Sequence, residues 1–419
     1  MKNTIFVQFY SKWRMTKNID VWGISNGFSD TYDFCKSKGD FFWVHHNFDN
    51  QRNDIKDMVA TCKEKELPIK KRNVFISATT TSHVYQGYYW AKKYPNINFI
   101  VGGPAITTKT FTYNSLPKNI IFVEKSLEQF FNIEDFSYEW KLELPEQTIK
   151  DDRPIFLVYS ISSRCYWNKC LFCKFDINKD RTRKIFDFKF KDNINSNKPR
   201  SIFLYTPSMT PAQLSYLVPR LPRKKNLRYT LFLRSSKKEN EILEEVLKKC
   251  SNGEGPHPNN ITFQIGLEFP GNRMLNYMRK GTTTNDILNT MKIIKKYKSR
   301  IYMSLILGWP NLTEQDIKEV KQFIKDVPKY DKDTHRFMRI WRLFARVGTP
   351  LYDMVEKEHP RMIGPFYSGS GVKISDKALT LNLRARNLLL SLDNVADNYT
   401  PTLVDNYENI FNKQEQIIN

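Results

Sequence analysis

Ser163-Arg164-Cys165-Tyr166-Trp167-Asn168-Lys169-Cys170-Leu171-Phe172-Cys173 is the stretch around which the rest of the chain is organised. It gathers three of the six cysteines within nine residues and sets an aromatic between the last two. Three thiolates this close can surround one metal centre. A four-iron, four-sulfur cluster takes four ligands, so a protein that supplies three leaves one iron open to an outside molecule. Structural zinc normally recruits a fourth Cys or His at a short spacing, and no His lies within 80 residues on either side. Disulfides are the other ordinary use, but three cysteines pair badly. Cys35, Cys62 and Cys250 are scattered singly, as buried thiols usually are. The spacing favours a metal.

Length and composition set the frame. With 419 residues the chain has room for about two or three domains. Forty per cent hydrophobic residues, with 29 Phe and 21 Tyr, support sizeable cores. No run of 18 apolar residues occurs, so no membrane span is expected. Met1-Lys2-Asn3-Thr4-Ile5-Phe6 has no signal-peptide character. Few cysteines and no secretion signal predict a cytoplasmic protein. The net charge of +22 has two readings, an acidic partner such as nucleic acid or a solvated basic surface. Residues 220–238 concentrate eight Lys and Arg and no acid. No helix-turn-helix, zinc-finger or RNA-binding signature accompanies them.

Across residues 1–135 short apolar runs alternate with amphipathic ones. Strands are predicted at 5–9, 41–44, 73–77, 98–101 and 120–123, and helices at 54–67, 85–94 and 126–131. This alternation predicts a doubly wound parallel sheet, with ligands at the carboxyl ends of its strands. Two of those ends carry small residues, Ser77-Ala78-Thr79-Thr80-Thr81-Ser82 and Gly102-Gly103-Pro104. Such residues suit either a flat shelf for a large planar cofactor or ordinary turns. Residues 136–153, polar and without sustained periodicity, read as a linker.

A second series of strands follows, predicted at 155–160, 201–205, 228–234, 261–268, 300–308 and 337–344. Helices at 212–221, 241–250, 286–297 and 313–324 fall between them. Six βα units over residues 154–355 predict a partial (β/α)6 barrel, with the cysteine loop at the carboxyl end of its first strand. Residues 356–419 read as a small, mostly helical region, with a helix at 377–392 and a loose Asn- and Gln-rich tail after Asn394.

Further phrases fall in register with the cysteines. Gly266-Leu267-Glu268 is followed by Arg273-Met274-Leu275, Met278 and Lys280-Gly281. Ile306-Leu307-Gly308-Trp309-Pro310-Asn311-Leu312-Thr313-Glu314 and Gly348-Thr349-Pro350-Leu351-Tyr352 come later. Together these residues resemble the radical S-adenosylmethionine (radical SAM) superfamily over roughly residues 154–355. The resemblance implies that Cys165, Cys170 and Cys173 hold a [4Fe-4S] cluster whose open iron chelates SAM, which is cleaved to a 5′-deoxyadenosyl radical. It implies Phe172 against the adenine, Arg234 on the SAM carboxylate and Glu268 on the ribose hydroxyls. An external electron donor such as flavodoxin or ferredoxin is implied as well.

The chain departs from the family in two places. Four residues separate the first two cysteines where the family usually has three, as in some cobalamin-linked members. Tyr205-Thr206-Pro207-Ser208 stands where an acidic element receives the SAM amine, leaving Tyr205 or backbone carbonyls for that contact. The N-terminal unit resembles the cobalamin-binding module of that branch through Ile76-Ser77 and Val101-Gly102-Gly103-Pro104. Ser77, Gly102, Gly103 and Pro104 would then form the cobalamin shelf. The Asp-x-His-x-x-Gly phrase of other cobalamin proteins is absent, and His83 is the one His near the right loop. The resemblance implies cobalamin-dependent methylation of an unactivated carbon in a small molecule, peptide or nucleic acid. The alternatives are a radical rearrangement, cyclisation or ring contraction without methyl transfer, and a nucleic-acid-binding protein with a structural cluster.

Overall fold

Ile261, Phe263, Ile265 and Leu267 are buried while Thr262, Gln264 and Gly266 between them stay half-exposed, so one face of this strand is core. The same two-residue period runs through residues 227–233 and 300–307. It is the period that sends successive side chains to opposite faces of a sheet. The computed structural model describes residues 4–16, 19–25, 32–45, 73–78, 81–103, 106, 116–123, 130, 155–160, 165–173, 200–329, 336–346, 349–355, 369–372, 374–392 and 395–397. The helix expected at 54–67, most of that at 126–131, the 136–153 linker, Cys62, Pro104, Gly348 and the tail past Asp397 lie outside the described residues.

In chain order the elements are β1 (Thr4–Thr16), β2 (Ile19–Ser25), α1 (Tyr32–Lys38), β3 (Asp40–His45), β4 (Asn73–Ser77), α2 (Thr81–Lys93), β5 (Asn98–Gly102), β6 (Ile120–Val123) and β7 (Ile155–Ser160). There follow β8 (Arg200–Tyr205), α3 (Pro211–Leu217), β9 (Leu227–Leu233), α4 (Lys237–Ser251), β10 (Ile261–Glu268), α5 (Asn272–Tyr277), α6 (Thr284–Lys296), β11 (Arg300–Leu307) and α7 (Glu314–Asp326). The last described elements are β12 (Arg336–Arg342), β13 (Phe344–Arg346), α8 (Pro350–Val355), β14 (Gly369–Gly371), α9 (Asp376–Leu390) and β15 (Val395–Asp397).

Among the described residues one sheet of thirteen strands carries the fold, in the order β15-β12-β11-β10-β9-β8-β7-β2-β1-β4-β5-β6, with β3 also on β1. β7 to β12 are parallel neighbours in sequence order, the expected partial barrel. β1, β3, β4, β5 and β6 are likewise parallel, the expected N-terminal sheet. The helices form where caps and apolar stripes coincide. Ser236 accepts from Glu239 N to start α4, which buries Leu243, Val246, Leu247 and Cys250 at helical spacing. One apolar core runs through the barrel strands and their helices, and another packs β1, β4 and β5 against α2.

Four details differ from the sequence reading. β1 runs on to Thr16 and folds back against β2 as an antiparallel hairpin; Lys12 and Arg14 interrupt the apolar run, so the pattern had ended at Phe9. β2 then pairs in parallel with β7, Trp22 opposite Ile155 and Ser25 opposite Val158, which joins the two strand series into a single sheet. The strand expected at 337–344 breaks at Leu343, whose N–H donates to Leu307 O at 2.6 Å; β13 then pairs with β14 instead. Residues 395–397, expected to be loose, add a strand parallel to β12. Among the described residues no helix is long and apolar enough to cross a membrane.

Candidate functional site

The cysteine loop is tied down by its own backbone. Leu171 N donates to Met278 O and Leu351 N donates to Leu171 O, both at 2.9 Å, so the loop is threaded between the turn after α5 and the start of α8. Leu171 is buried, whereas Cys165, Cys170 and Cys173 are half-buried and free of disulfides. The three thiols lie close enough for their charges to interact. Burial pushes the Cys173 thiol up to about 12, with repulsion from Cys170 adding to it. Burial also raises Cys170, against which the Lys280 ammonium pulls down. Among the described residues no group of three or more His, Cys, Asp and Glu side chains is arranged to hold a metal ion.

Glu268 stands across from the loop at the end of β10. The β10–β11 register shifts between Gly266 and Glu268, leaving Leu267 as an extra residue, and Glu268 takes a left-handed φ of 59°. A bulge of this kind re-aims a side chain, and left-handed backbone at a non-glycine is strained by about 1–3 kcal/mol. Here it swings the carboxylate towards Lys280, whose Nζ donates to Glu268 Oε1 at 2.9 Å. Ser304 Oγ reaches Glu268 Oε2 at 3.5 Å. Burial would lower Lys280, but the Glu268 and Cys170 charges outweigh it and hold its pKa above the usual value. A Cβ on Gly266 would press on Glu268 Oε1 and stand 2.6 Å from Lys280 Nζ, so a larger residue there would shift the ends of both side chains. Phe172 lies beneath the Lys280 ammonium at 5.9 Å and meets Trp309 edge-on at 6.0 Å. Trp309 is fixed in turn by Asn382, which accepts from Gly308 N and Trp309 N and donates to Trp309 O.

Arg234 follows β9, and its guanidinium stacks 3.8 Å from the Trp167 ring. It donates to Lys280 O at 2.9 Å and to Gly281 O, and it lies 3.9 Å from Glu239 Oε1. Tyr205 closes β8 and packs edge-on against Phe203 and Phe232. Next to it, Thr206 is buried and bonds Ser208 O.

In the N-terminal sheet, Ser77, Gly102 and Val123 are cross-strand neighbours at the carboxyl ends of β4, β5 and β6. Ala78 N donates to Gly102 O at 2.7 Å, which draws the two ends together. Gly103 has φ 116°, and a Cβ there would come within 2.6 Å of Ala78 O. A Cβ on Gly102 would meet Val123 O at an ordinary 3.5 Å, so packing does not demand that glycine. His83 is buried in α2 and stacks on Phe9 at 4.4 Å, the position of a core histidine.

No protein-family model matches the chain, and no curated protein matches it. Solved structures do. The cobalamin-dependent S-adenosylmethionine radical enzyme OxsB superposes with a TM-score of 0.60 at 12% identity, covering 93% of this chain and 67% of OxsB. The radical S-adenosylmethionine methyltransferase TsrM from Kitasatospora setae, solved with cobalamin and a [4Fe-4S] cluster, superposes with a TM-score of 0.50 at 10% identity. That match covers 92% of this chain and 85% of TsrM. The fold is that of the cobalamin-dependent radical SAM enzymes. The chain spans about two thirds of the length of OxsB.

The residues present fit the groups this radical SAM fold implies. Three half-buried thiols beside the Lys280 ammonium, which favours their negatively charged thiolate form, suit a thiolate-held iron–sulfur centre, and adjoining strand ends with Ser77 and Gly102 suit a flat ligand. Sequence reasoning missed Lys280 and Ser304 as members of the site, and Trp167 and Glu239 as partners of Arg234. A lysine 12 residues after Glu268 carries no periodic signal of its own. Trp167, sitting in the widened cysteine spacing, was the available clue.

Proposed function

We propose that this chain is a radical SAM enzyme that cleaves S-adenosylmethionine reductively and uses cobalamin to methylate an unactivated carbon. The observation that carries the reading is the pairing of a three-cysteine loop after β7 with the buried Glu268–Lys280 pair at the end of β10, on this fold. In this reading Cys165, Cys170 and Cys173 hold the [4Fe-4S] cluster, and the Lys280 charge favours the thiolate at Cys170. Phe172, steadied by Trp309, receives the adenine. Glu268 takes the ribose hydroxyls with Oε2, the oxygen less engaged within the protein. Tyr205 lies on the side of the SAM amine. Ser77, Gly102, Gly103 and Pro104 form the shelf for cobalamin. When bound, the cluster would supply one-electron reduction of SAM, and cobalamin would carry the methyl group. A flavodoxin- or ferredoxin-like protein would deliver the electron, and the basic block at 220–238 suits an acidic partner of that kind.

Anaerobic reconstitution with iron, sulfide and hydroxocobalamin tests this. The protein is expected to show iron–sulfur absorbance, to retain cobalamin, and to form 5′-deoxyadenosine with SAM and a reductant. Cys170→Ala is expected to form none. A reconstituted wild type that makes no deoxyadenosine sinks the reading. Deoxyadenosine without cobalamin retention sinks the methyl-transfer part and leaves radical rearrangement.

A further inference from the structure

The interval between Cys165 and Cys170 holds Tyr166, Trp167, Asn168 and Lys169, and two of these reach out of the loop to the same place. Trp167 lays its ring against the Arg234 guanidinium at 3.8 Å and donates Nε1–H to Arg279 O at 2.8 Å. Tyr166 OH donates to Glu239, whose carboxylate also faces Arg234 at 3.9 Å. From the other side, Arg234 donates to Lys280 O and Gly281 O. The receiving turn is shaped for this. Arg279 and Gly281 both have left-handed φ, 54° and 62°, and a Cβ on Gly281 would collide with the Trp167 ring. Asn168, at φ 42°, provides the reversal that returns the chain to Cys170.

We infer that Arg234 and Trp167 are positioning residues: the widened cysteine interval is used to moor the cluster loop to the turn at 278–281, and so to Lys280 and Glu268. A planar cation sandwiched between an indole and two carbonyls is held by geometry that lysine lacks. Each arm alone is modest, but they converge on one group, so they act together. The Arg234 side chain is 10% exposed, and its Nη2 is engaged by Lys280 O and Gly281 O, so the guanidinium is turned to the loop and the turn, and we place it with them and not in the SAM-binding set given above. Mooring the loop at its widest interval fixes Cys165 and Cys170 relative to each other. It also carries Lys280, in the same turn, to its place beside the thiols.

The inference rests on the proposed function for what the loop holds, but the mooring is testable in the metal-free protein. Hydrogen exchange over residues 165–173 is expected to speed up about tenfold in Arg234→Ala and in Trp167→Ala, and by less than the product of the two in the double variant, because the stack is common to both. Arg234→Lys is expected to behave like Arg234→Ala, whereas Trp167→Phe, which keeps the stack, retains most of the protection. Gly281→Ala leaves both partners in the sequence but drives a methyl into the Trp167 ring and against Arg234, and is expected to expose the same peptide. Exchange elsewhere in the chain serves as the check on folding. After reconstitution, a chelator is expected to remove iron faster from the Ala variants than from wild type. Unchanged loop exchange in both single variants overturns the mooring, as does a fully additive double variant. Weaker SAM binding in Arg234→Ala, with loop exchange unaltered and Trp167→Ala silent, would return Arg234 to the SAM carboxylate. A wild type that takes up no cluster defeats the proposed function and leaves the exchange result standing by itself.

Discussion

Lys280 Nζ lies 2.9 Å from Glu268 Oε1, and the two side chains are only 15% and 9% exposed. A buried pair of this kind stabilises little against a well-packed apolar replacement, but removal of one partner strands the other's charge in a poorly solvated place.

Glu268→Ala is therefore expected to cost about 3–5 kcal/mol in urea unfolding of the metal-free protein. Lys280→Met added to it should recover most of that loss, since no charge is then left unpaired. A double variant as unstable as Glu268→Ala would mean that the bulge conformation of Glu268, and not its charge, is what the fold needs.

The two neighbouring glycines of the β5 turn separate fold from ligand. Gly103→Ala forces a side chain into φ 116° and within 2.6 Å of Ala78 O, and is expected to destabilise by about 1–3 kcal/mol. Gly102→Ala places its methyl 3.5 Å from Val123 O, so stability should hold within about 0.5 kcal/mol. The same methyl roughens the shelf, and Gly102→Ala is expected to retain markedly less cobalamin after gel filtration. Equal retention by wild type and Gly102→Ala would remove Gly102 from the shelf.

What was legible in the sequence was whatever repeats or clusters locally. The alternation of strand-like and helical runs located the barrel strands and the helices at 241–250 and 377–392, and the clustered cysteines marked their loop. What was not legible depends on non-local pairing. β1 continues through Lys12 and Arg14 because β2 supplies a partner, and β2 finds β7 more than 100 residues away. Lys280 becomes part of the site only because the turn after α5 brings it to Glu268. Arg234 was legible as a charged residue at a strand end, but its partner Trp167 was set by the shape of the loop. Its orientation follows from a contact across 67 positions that no local pattern encodes.

Cys250, the buried thiol of α4, gives a pH test away from the site. It is fully buried, and burial pushes it up to about 11 against the pull of Arg223, which donates to Cys250 O at 3.0 Å. An unfolded cysteine titrates near about 8.5, so the folded protein holds this proton more tightly. The sign follows: its contribution to stability is complete below about 8.5 and declines as pH rises towards 11. Urea midpoints of wild type and Cys250→Ala, compared between pH 8 and 10.5, should converge and then cross as the pH rises, after a cost to the variant of about 1 kcal/mol at pH 8. Iodoacetamide at pH 8 should leave Cys250 unmodified in the folded metal-free protein, since the reactive species is the thiolate. Parallel pH slopes in the two proteins, or prompt alkylation of Cys250 at pH 8, would show that the thiol ionises near its ordinary value and that the core around α4 is open to water.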